Sequence, residues 1–386
     1  MAPAPALAPV PGLVHDYLLV LRGAERTFAE IADCFPQAPI YTLLYDPAAV
    51  ASRFAGRTVR TSSLQHLHVR QSSFRALLPL MPSAAERLPV QGHELVVSSS
   101  SAFAHGVRPG EGAVHVCYCH TPFRYAWHER RRALDEVNVH LRPALSRVLS
   151  RARRWDLEAS SRVTRYIANS EICRRRIDEL WHRDASVVHP PVETHRFHIG
   201  EPEDFFLVVT ELVPHKRVDT ALEAARRAGR PIKVVGGGPD RERLAARYAD
   251  TAQFLGRISD SELEELYPRA RALMVPNVEE FGITAVEAQA SGRPVVASAA
   301  GGARETVIDG TTGVLVPPGD VDAFADAIRN TNFEAFSPHR IKRYAERFST
   351  RVFRRKFLSE VAGAADRDVS VHAGIGEASA PSLRAT

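Results

Sequence analysis

Residues 272–287 of the chain read Ala-Leu-Met-Val-Pro-Asn-Val-Glu-Glu-Phe-Gly-Ile-Thr-Ala-Val-Glu. The first four residues are apolar, which predicts a buried β-strand from Ala272 to Val275. A polar loop follows, and the residues after Gly282 have the pattern of a helix that ends near the turn Ser291-Gly292. This order of strand, loop and helix is part of a βαβ unit, so the stretch predicts a parallel sheet.

The same order recurs along the chain, which predicts an α/β protein. A length of 386 residues is too long for one ordinary core and favours two domains. The pattern breaks near Val188-His-Pro-Pro-Val192, where two prolines interrupt helix and strand alike. We expect strands at 13–15, 39–44, 58–60, 95–98, 114–119 and 166–168 before the break, and at 205–209, 232–235, 253–255, 272–275, 295–297 and 313–316 after it.

These patterns divide the chain into five segments. Residues 1–12, rich in Ala and Pro, are expected to be a disordered tail, and residues 13–190 a Rossmann-like first domain. Residues 191–349 are expected to form a second Rossmann-like domain, with a ligand cleft between the two at the carboxyl ends of their strands. Residues 350–362 predict a helix that packs back on the first domain, and residues 363–386 a second disordered tail.

The composition indicates a folded protein of a reducing compartment. Apolar residues make up 45% and charged residues 25% of the chain, as in globular proteins. No apolar run reaches the roughly 18 residues that a membrane-spanning helix needs. The first residues lack the basic region of a secretory signal, and four cysteines in a chain of this length do not suggest a disulfide framework. The expected location is the cytoplasm.

The loop between the strand at 272–275 and its helix carries the candidate chemistry. A helix that begins near Gly282 offers free backbone N–H groups and a partial positive charge, which suit a diphosphate. Glu279 stands just before this start and can accept hydrogen bonds from sugar hydroxyls, while Glu287, about two turns further, can reach a ribose diol. The alternative is that Glu279 only caps the helix and Glu287 pairs with a surface cation.

Several motifs resemble those of glycosyltransferase family 4. The spacing Glu279-x7-Glu287 around Phe281-Gly282, followed by Gly292-Arg-Pro-Val-Val, resembles the donor-site motif of that family. Further resemblances lie in the expected order at 212–219, 235–240, 301–305 and 313–316, and those at Arg22-Gly-Ala-Glu25 and 119–127 are similar to the mannosyltransferase-like branch that builds cell-surface polysaccharides. The resemblance implies the GT-B fold, which has two facing Rossmann-like domains, together with retaining chemistry and no metal requirement.

The resemblance also assigns roles in the second domain. It implies that Lys216 and Arg217 hold the diphosphate and neutralise the leaving group, where negative charge accumulates as the anomeric bond breaks. Many members of the family carry an arginine five residues before this lysine, and here that position is Glu211. One phosphate contact is therefore missing, or is supplied by Arg217 or Arg124.

The remaining candidate site residues lie in both halves. In the second half, donor contacts are expected from Phe281, Gly282 and Ile283, and the nucleobase is expected to stack near Arg257 and Ile258. In the first half, Gly23 and Ala24 begin a helix after the first strand, where a glycine allows close approach to phosphate, although the family more often has two adjacent glycines. The resemblance places His120 beside the transferred sugar; a histidine at the end of an apolar strand is otherwise usually structural.

No metal or cofactor is expected. Strand alternation puts His115, Cys117 and Cys119 on one face and His120 on the other, which is a poor tetrahedral set for zinc. Position 241 is Arg, so the turn Gly236-Gly-Gly238 lacks the Gly-x-Gly-x-x-Gly spacing of a dinucleotide fingerprint. A nicotinamide enzyme is therefore disfavoured.

One segment is strongly basic. Residues 130–154 hold eight arginines against Asp135 and Glu136, a net charge of +6. Apolar residues recur with helical spacing at 141, 145, 148, 152 and 155. We expect this stripe to pack on the domain core with the arginines near an anionic membrane or a lipid-linked diphosphate acceptor; a plain solvated helix face is the alternative.

The sequence thus predicts a retaining glycosyltransferase that moves a hexose from a nucleotide-sugar to a saccharide or lipid-linked saccharide in cell-surface polysaccharide synthesis. The donor best supported by the resemblance is GDP-mannose, and the enzyme would lie in the cytoplasm, in peripheral contact with the inner face of the plasma membrane. A nucleotide-sugar 2-epimerase of the same fold is one rival. A non-catalytic nucleic-acid- or membrane-binding protein that uses the basic segment is another.

Overall fold

The computed structural model describes residues 10–67 and 73–376, and the side chains up to residue 365. The described chain forms two compact units. Unit 1 lies within Met1–Asn169, Cys173–Val188 and Arg354–Thr386, and unit 2 consists of Ser170–Ile172 and His189–Phe353. The chain therefore enters unit 2 at the predicted proline break and returns to unit 1 near its C-terminal end.

Unit 1 is built on a seven-stranded parallel sheet in the order β3-β2-β1-β4-β5-β6-β7. Its strands are short, and most of them are buried along most of their length, because both faces of a parallel sheet are covered. They are β1 Gly12–His15, β2 Ile40–Thr42, β3 Val59–Thr61, β4 Leu95–Ser100, β5 Val114–Cys119, β6 Arg165–Ala168 and β7 Ala185–Val187. Its helices are α1 Gly23–Asp33, α2 Pro47–Phe54, α3 Met81–Glu86, α4 Arg130–Asp135, α5 Arg142–Ser160, α6 Glu171–Trp181, which starts in unit 2, and most of the C-terminal helix.

Unit 2 is built on a six-stranded parallel sheet in the order β10-β9-β8-β11-β12-β13. The strands are β8 Phe206–Val209, β9 Ile232–Val235, β10 Ala252–Gly256, β11 Ala272–Val275, β12 Val295–Ser298 and β13 Gly313–Val316. The helices are α7 Val218–Ala228, α8 Arg241–Arg247, α9 Asp260–Leu266, α10 Ile283–Ala290, α11 Ala303–Thr306, α12 Val321–Asn330, α13 Pro338–Ala345 and the start of α14 Thr350–Gly376.

Apolar side chains cover each sheet on both faces. In unit 2 one core contains Leu207, Leu273 and Val295, and the opposite core contains Phe206, Val234 and Val296. Neighbouring residues of one strand thus enter different cores, as the two-residue period of a strand requires. Because both faces are buried, successive residues of a strand are apolar, and this produces the continuous apolar runs that predict these strands.

The predicted fold class, two parallel-sheet Rossmann-like domains, is confirmed. All twelve strands predicted from the sequence are present, and four have the predicted bounds. Ser259 and Glu262 have the sequence spacing of a capping box. In the structure this box begins α9, and the side chain of each residue accepts the other's backbone N–H.

Three predictions of secondary structure need correction. Strand β7 has no counterpart among the predicted strands, because it is only three residues long and half-buried. The sequence of residues 73–88 predicts one helix, but the structure has a 3-10 turn, Phe74–Leu77, followed by α3, since Pro79 cannot donate a helical hydrogen bond. The helix predicted to end at Ala362 continues to Gly376. Residues 1–9 and 377–386 of the predicted tails lie outside the described residues.

Each sheet has a point where the strand order reverses. In unit 1 this point is beside β1, which pairs with β2 on one side and β4 on the other. In unit 2 it lies between β8 and β11, which pair with each other. Ligands of open α/β sheets bind beyond the carboxyl ends of the strands at such points. A ligand site is therefore expected at the loops that follow β1, β8 and β11.

Candidate functional site

The loops after β8 and β11 bring Lys216 and Glu279 into contact. Lys216 ends the 3-10 turn Pro214–Lys216, and its Nζ lies 2.6 Å from Oε1 of Glu279. The same carboxylate oxygen accepts a hydrogen bond from Nδ2 of Asn277 at 2.9 Å. Both charged side chains keep about a fifth to a quarter of their surface exposed, 21% and 24%. The pair is therefore fixed by a second donor and still open to solvent.

Two glycines hold the Glu279 loop in shape. The backbone N–H of Gly302 donates to the carbonyl of Glu279 at 2.8 Å. A Cβ on Gly302 would lie 2.3 Å from Cα and O of Phe281, and one on Gly301, whose φ is +60°, would lie 2.3 Å from the carbonyl oxygen of Glu279. No side chain fits at either position, so the loop packs backbone against backbone.

Helix α10 begins directly after this loop. Gly282 precedes it with φ +92°, a conformation that favours glycine. The N-cap residue, Gly282, has no side chain that could cap the first turn, and Ile283 and Thr284 lie at a half-exposed surface. The helix start therefore offers donors and a positive dipole end to an anion.

The side chain of Phe281 has a structural role. It is 4% exposed and lies in the core of unit 2, stacked on His189 at 5.4 Å and against Phe348. The sequence places Phe281 among the donor-binding residues. The structure limits that contribution to its backbone, because the ring is covered by neighbours.

Glu287 lies on α10 and is oriented by Tyr267. The phenol of the buried Tyr267 donates to Oε2 of Glu287 at 2.7 Å, and burial with the nearby carboxylate raises the pKa of Tyr267 well above its ordinary value. The tyrosine therefore stays a donor at neutral pH, and one carboxylate oxygen of Glu287 is held while the residue remains half-exposed. This is the arrangement that a ribose diol needs from an acceptor.

The other unit 2 candidates surround the same strand ends. Arg217 has a left-handed backbone with φ 51°, precedes α7, and is exposed, with its guanidinium beside Gly319. Arg257 is exposed beside Gly237, where an added Cβ would meet its Nε at 3.3 Å. Ile258 is half-buried and packs on the unit 2 core. All three follow carboxyl ends of strands of one sheet.

In unit 1 the candidates lie beyond β1 and β5. Gly23 and Ala24 occupy the first two positions of α1 and are half-exposed. His120 follows β5 and is 8% exposed; its Nε2 lies 2.9 Å from Oγ of Ser99, and its ring stands edge-on to His15 at 6.5 Å between centroids. Burial, with His120 nearby, lowers the pKa of His15 to about 3. His15 is therefore neutral at physiological pH.

Glu25 is a buried carboxyl that the sequence analysis did not assign to the site. It lies on the first turn of α1, is 6% exposed, and its Oε2 accepts the backbone N–H of Arg22 at 2.9 Å. Burial raises its pKa to about 7, against the lowering effect of backbone hydrogen bonds and the Arg22 charge. Folding therefore favours the protonated form.

This shift predicts a pH dependence of stability for unit 1. The contribution of Glu25 to the free energy of unfolding is complete below about pH 4.5, the ordinary pKa of a glutamate. It is lost as the pH rises to about 7, because Glu25 ionises in the unfolded chain before it ionises in the folded one. We expect Glu25→Gln to remove this loss, so the stability difference between the two proteins changes by about 3 kcal/mol across that range. Urea unfolding followed by tryptophan fluorescence reports on unit 1, which contains all three tryptophans.

The matched control for Glu25 is Glu111→Gln, a change at an exposed glutamate of the same unit. It should leave the pH dependence as it is in the unmodified protein. If Glu25→Gln and the unmodified protein keep a constant stability difference over that range, the pKa of Glu25 is not raised.

Several residues near these sites are not among those predicted from the sequence. Asn277 had a signal, since it is a polar residue directly after a buried strand. Asp16, directly after β1, had the same signal. Tyr267 had none, because nothing in its neighbourhood distinguishes it from a core aromatic. His189 and Glu305 pair at 2.9 Å, and Glu305 also accepts the N–H of Glu171; these residues are far apart in sequence, so only the fold joins them.

Neither a metal-binding cluster nor a membrane-spanning helix is found in the part of the chain that the structure describes. Within residues 10–67 and 73–376, no group of three or more His, Cys, Asp or Glu side chains is arranged to hold a metal ion. Over the same part of the chain, no helix combines the length and apolarity needed to cross a bilayer.

Solved structures show the class of fold. The crystal structure of Anabaena Alr3699/HepE in complex with UDP and glucose superposes with a TM-score of 0.69 and 17% identity, over 92% of this chain and 100% of that one. Sucrose-phosphate synthase from Thermosynechococcus elongatus superposes with a TM-score of 0.66 and 16% identity, over 94% of this chain. At these identities the likeness shows the fold alone, and that fold is the GT-B fold of glycosyltransferases.

The sequence of unit 2 matches a known protein family. Residues 192–348 match the family model "Glycosyl transferases group 1". The chain is 35% identical over 191 residues to the D-inositol 3-phosphate glycosyltransferase of Mycolicibacterium paratuberculosis, and 34% identical over 200 residues to that of Frankia alni. The chain has the GT-B fold and carries a group 1 glycosyltransferase domain in unit 2, so the resemblance to family 4 is confirmed at that level.

These matches cover part of each protein. They span 42% and 43% of this chain, and 43% and 49% of the two relatives. The chain thus covers less than half of the length of the curated relatives that it matches. The family model covers the part of unit 2 that contains Lys216, Glu279 and Glu287.

Proposed function

We propose that the protein is a retaining glycosyltransferase that binds a nucleotide-sugar in unit 2 and transfers its hexose to a saccharide. The observation that carries this proposal is the contact of Lys216 with Glu279 directly before the start of α10. A cation and a helix N-terminus suit a diphosphate, and a carboxylate beside them suits the hydroxyls of the attached sugar.

The proposed reaction exchanges one bond at the anomeric carbon. The bond from this carbon to the diphosphate oxygen breaks, and a bond to the acceptor hydroxyl oxygen forms on the same face. The proton of that hydroxyl goes to the departing diphosphate, whose growing charge is stabilised by Lys216 and Arg217. No metal is required in this scheme. Glu279 orients the sugar, Glu287 orients the ribose, and His120 is the contribution of unit 1, the acceptor domain.

Two donors compete in this proposal. GDP-mannose is favoured by the sequence resemblance of residues 22–25 and 119–127 to the mannosyltransferase-like branch. A UDP-hexose is favoured by the solved structure with the same fold that holds UDP and glucose. We propose GDP-mannose, with a lipid-linked saccharide of envelope assembly as acceptor at the inner face of the plasma membrane.

A panel of nucleotide-sugars tests the donor. A ligand that binds only the folded state raises the melting temperature, by an amount set by its concentration relative to Kd. We expect GDP-mannose to stabilise the protein and UDP-glucose and ADP-glucose to leave it unchanged. If UDP-glucose alone stabilises the protein, it replaces GDP-mannose as the proposed donor. If none of the three stabilises the protein, the proposed nucleotide-sugar site is contradicted.

A second experiment separates transfer from epimerisation. The enzyme is incubated with labelled donor in the absence and presence of a saccharide acceptor. A transferase yields labelled product only with acceptor, whereas a nucleotide-sugar 2-epimerase releases the epimerised sugar without it. Free epimer from donor alone would replace the proposed function with that rival.

A further inference from the structure

Helix α5 has a carboxyl in the middle of its buried face. The buried residues recur at a spacing of three and four positions, as one face of a helix requires; they are Leu149, Ala152, Asp156, Ala159 and Ser160. The predicted apolar stripe is wrong at its start, because Leu141 is 60% exposed and no residue of α5 before Leu149 is buried. Asp156 is 0% exposed, at a position where this pattern requires an apolar residue.

Two tryptophans donate to the same oxygen of Asp156. Nε1 of Trp127 lies 2.6 Å from Oδ2, and Nε1 of Trp181 lies 2.7 Å from it. Trp127 lies in the loop between β5 and α4, and Trp181 is the last residue of α6. The other oxygen, Oδ1, lies 3.4 Å from Nε2 of His105, and neither atom has a hydrogen-bond partner among the described residues. One carboxyl therefore joins α5 to the end of α6 and to the loop after β5.

A carboxyl at this position is not explained by packing. Burial raises the pKa of Asp156 to about 7, against the effect of the two indole hydrogen bonds, and burial lowers the pKa of His105 to about 3. His105 is therefore neutral at physiological pH and does not form an ion pair with the carboxyl. A buried charge costs free energy that an apolar side chain of similar size does not. What the carboxyl adds is direction, because it fixes where two indole N–H bonds point.

Trp127 closes a turn that carries two half-exposed polar side chains. Its backbone N–H donates to the carbonyl of Arg124 at 3.2 Å, and both Arg124 and Tyr125 are half-exposed beyond the carboxyl end of β5. The ring of Tyr125 lies edge-on to Phe123, and the guanidinium of Arg75 lies 5.6 Å from its centroid. An aromatic ring and guanidinium groups suit a saccharide, because the ring packs on the apolar face of a sugar and a guanidinium donates to its hydroxyls.

We propose that Asp156 and Trp127 are positioning residues for the acceptor: their hydrogen bond holds the turn at 123–127, so that Arg124 and Tyr125 meet the saccharide. This proposal rests on the proposed function, because it takes unit 1 to bind the acceptor. It gives Trp127 a role that Trp181 lacks, since Trp181 makes the same hydrogen bond from the end of α6 and lies outside the turn.

A matched pair of variants tests the positioning without an assay of activity. Trp127→Phe and Trp181→Phe each remove one indole N–H from the same carboxylate oxygen and keep an aromatic ring. We expect Trp127→Phe to raise the amide hydrogen-exchange rate of residues 123–130 about tenfold, and Trp181→Phe to change it less than about threefold. Hydrogen exchange followed by mass spectrometry measures both rates. Equal exchange of this segment in the two variants would overturn the proposal.

Kinetics test what the positioning does for transfer. The probes are labelled GDP-mannose as donor and methyl α-mannoside as acceptor. We expect Trp127→Phe to lower kcat/KM for the acceptor by about 10- to 100-fold, because a misplacement of about 1 Å has an effect of this size, and to change KM for the donor less than about threefold. Trp181→Phe should keep both constants within about threefold of the unmodified protein.

Two outcomes of the kinetics have different meanings. An equal loss in the two tryptophan variants shows a purely structural network and contradicts the proposal. If the unmodified protein transfers nothing to the probe from any nucleotide-sugar of the panel, the proposed function is what fails. The exchange rates then decide alone whether Trp127 holds the turn.

Two variants of Asp156 separate its hydrogen bonds from its burial. Asp156→Asn keeps an oxygen that accepts both indoles and places its NH₂ group beside Nε2 of His105. It should keep the exchange rate and the acceptor kcat/KM within about threefold. Asp156→Leu has a similar volume and no acceptor, so it should reproduce the losses of Trp127→Phe. Unchanged kinetics in Asp156→Leu would rule out the positioning role, and the tryptophan pair decides if this variant does not fold.

A double variant shows whether Trp127 acts through the turn. Arg124→Gln alone should lower the acceptor kcat/KM, and adding Trp127→Phe should lower it further by less than about threefold, because both changes remove the same contact. If the two losses multiply in full, Trp127 does not act through Arg124 and the proposal fails.

Discussion

Lys216→Ala is expected to lower kcat for sugar transfer by about 10²- to 10³-fold, with a change of KM for the donor below about tenfold. The reason is that negative charge on the departing diphosphate is larger in the transition state than in the bound donor. A cation next to it therefore stabilises the transition state more than the ground state. Initial-rate kinetics with the donor identified by the thermal-shift panel measure both constants.

The fold should survive this change. The ion pair with Glu279 is partly exposed, and such pairs contribute no more than about 1 kcal/mol. Lys356→Ala, on an exposed lysine of α14, is the matched control and should keep full activity. A kcat for Lys216→Ala within about threefold of the unmodified enzyme would remove this lysine from the mechanism and leave Arg217 as the candidate cation.

Most strands could be predicted because a parallel sheet that is buried on both faces requires runs of consecutive apolar residues. The run Ala272–Val275, for example, has no polar residue, and a polar loop and a helix follow it. The exception is β7, at the edge of its sheet, where every residue is half-buried. Its sequence, Ala-Ser-Val, therefore has no continuous apolar run.

The unit 2 site could be predicted in part. Lys216 and Glu279 are 63 positions apart, yet each follows a strand of the same sheet, so the topology alone brings their loops together. Their direct contact could not be predicted, because it depends on the turns that Gly301 and Gly302 impose on the loop. Tyr267 could not be predicted either, since its role is set by one hydrogen bond across the fold.

Unit 1 shows a different limit. Gly23 and His120, beyond the strand ends, could be predicted as site residues from the family resemblance, but Asp16 was not predicted. A charged residue at the end of an apolar run is easily taken for the first residue of a loop. In the structure Asp16 is 2% exposed, and its carboxylate accepts four consecutive backbone N–H groups, those of residues 101–104, at 2.6–3.1 Å. It therefore fixes the whole turn after β4.

Asp16→Ala should destabilise unit 1 by about 4 kcal/mol. Alanine leaves four buried or half-buried N–H groups without their acceptor, and each such group costs about 1–3 kcal/mol. Part of the total is recovered where water enters the space, which is why the expected loss lies at the low end of the summed range. Urea unfolding followed by tryptophan fluorescence measures the loss, because all three tryptophans lie in unit 1.

Asp46→Ala is the control that separates the effect of burial from the effect of losing hydrogen bonds. Asp46 also accepts two consecutive backbone N–H groups, those of Ala48 and Ala49, but it is an exposed cap of α2. Water replaces an exposed acceptor, so this change should cost about 1 kcal/mol. If the two aspartates cost the same, the turn after β4 does not need Asp16. If Asp16→Ala alone causes the large loss, the buried carboxylate is what holds this turn next to His120.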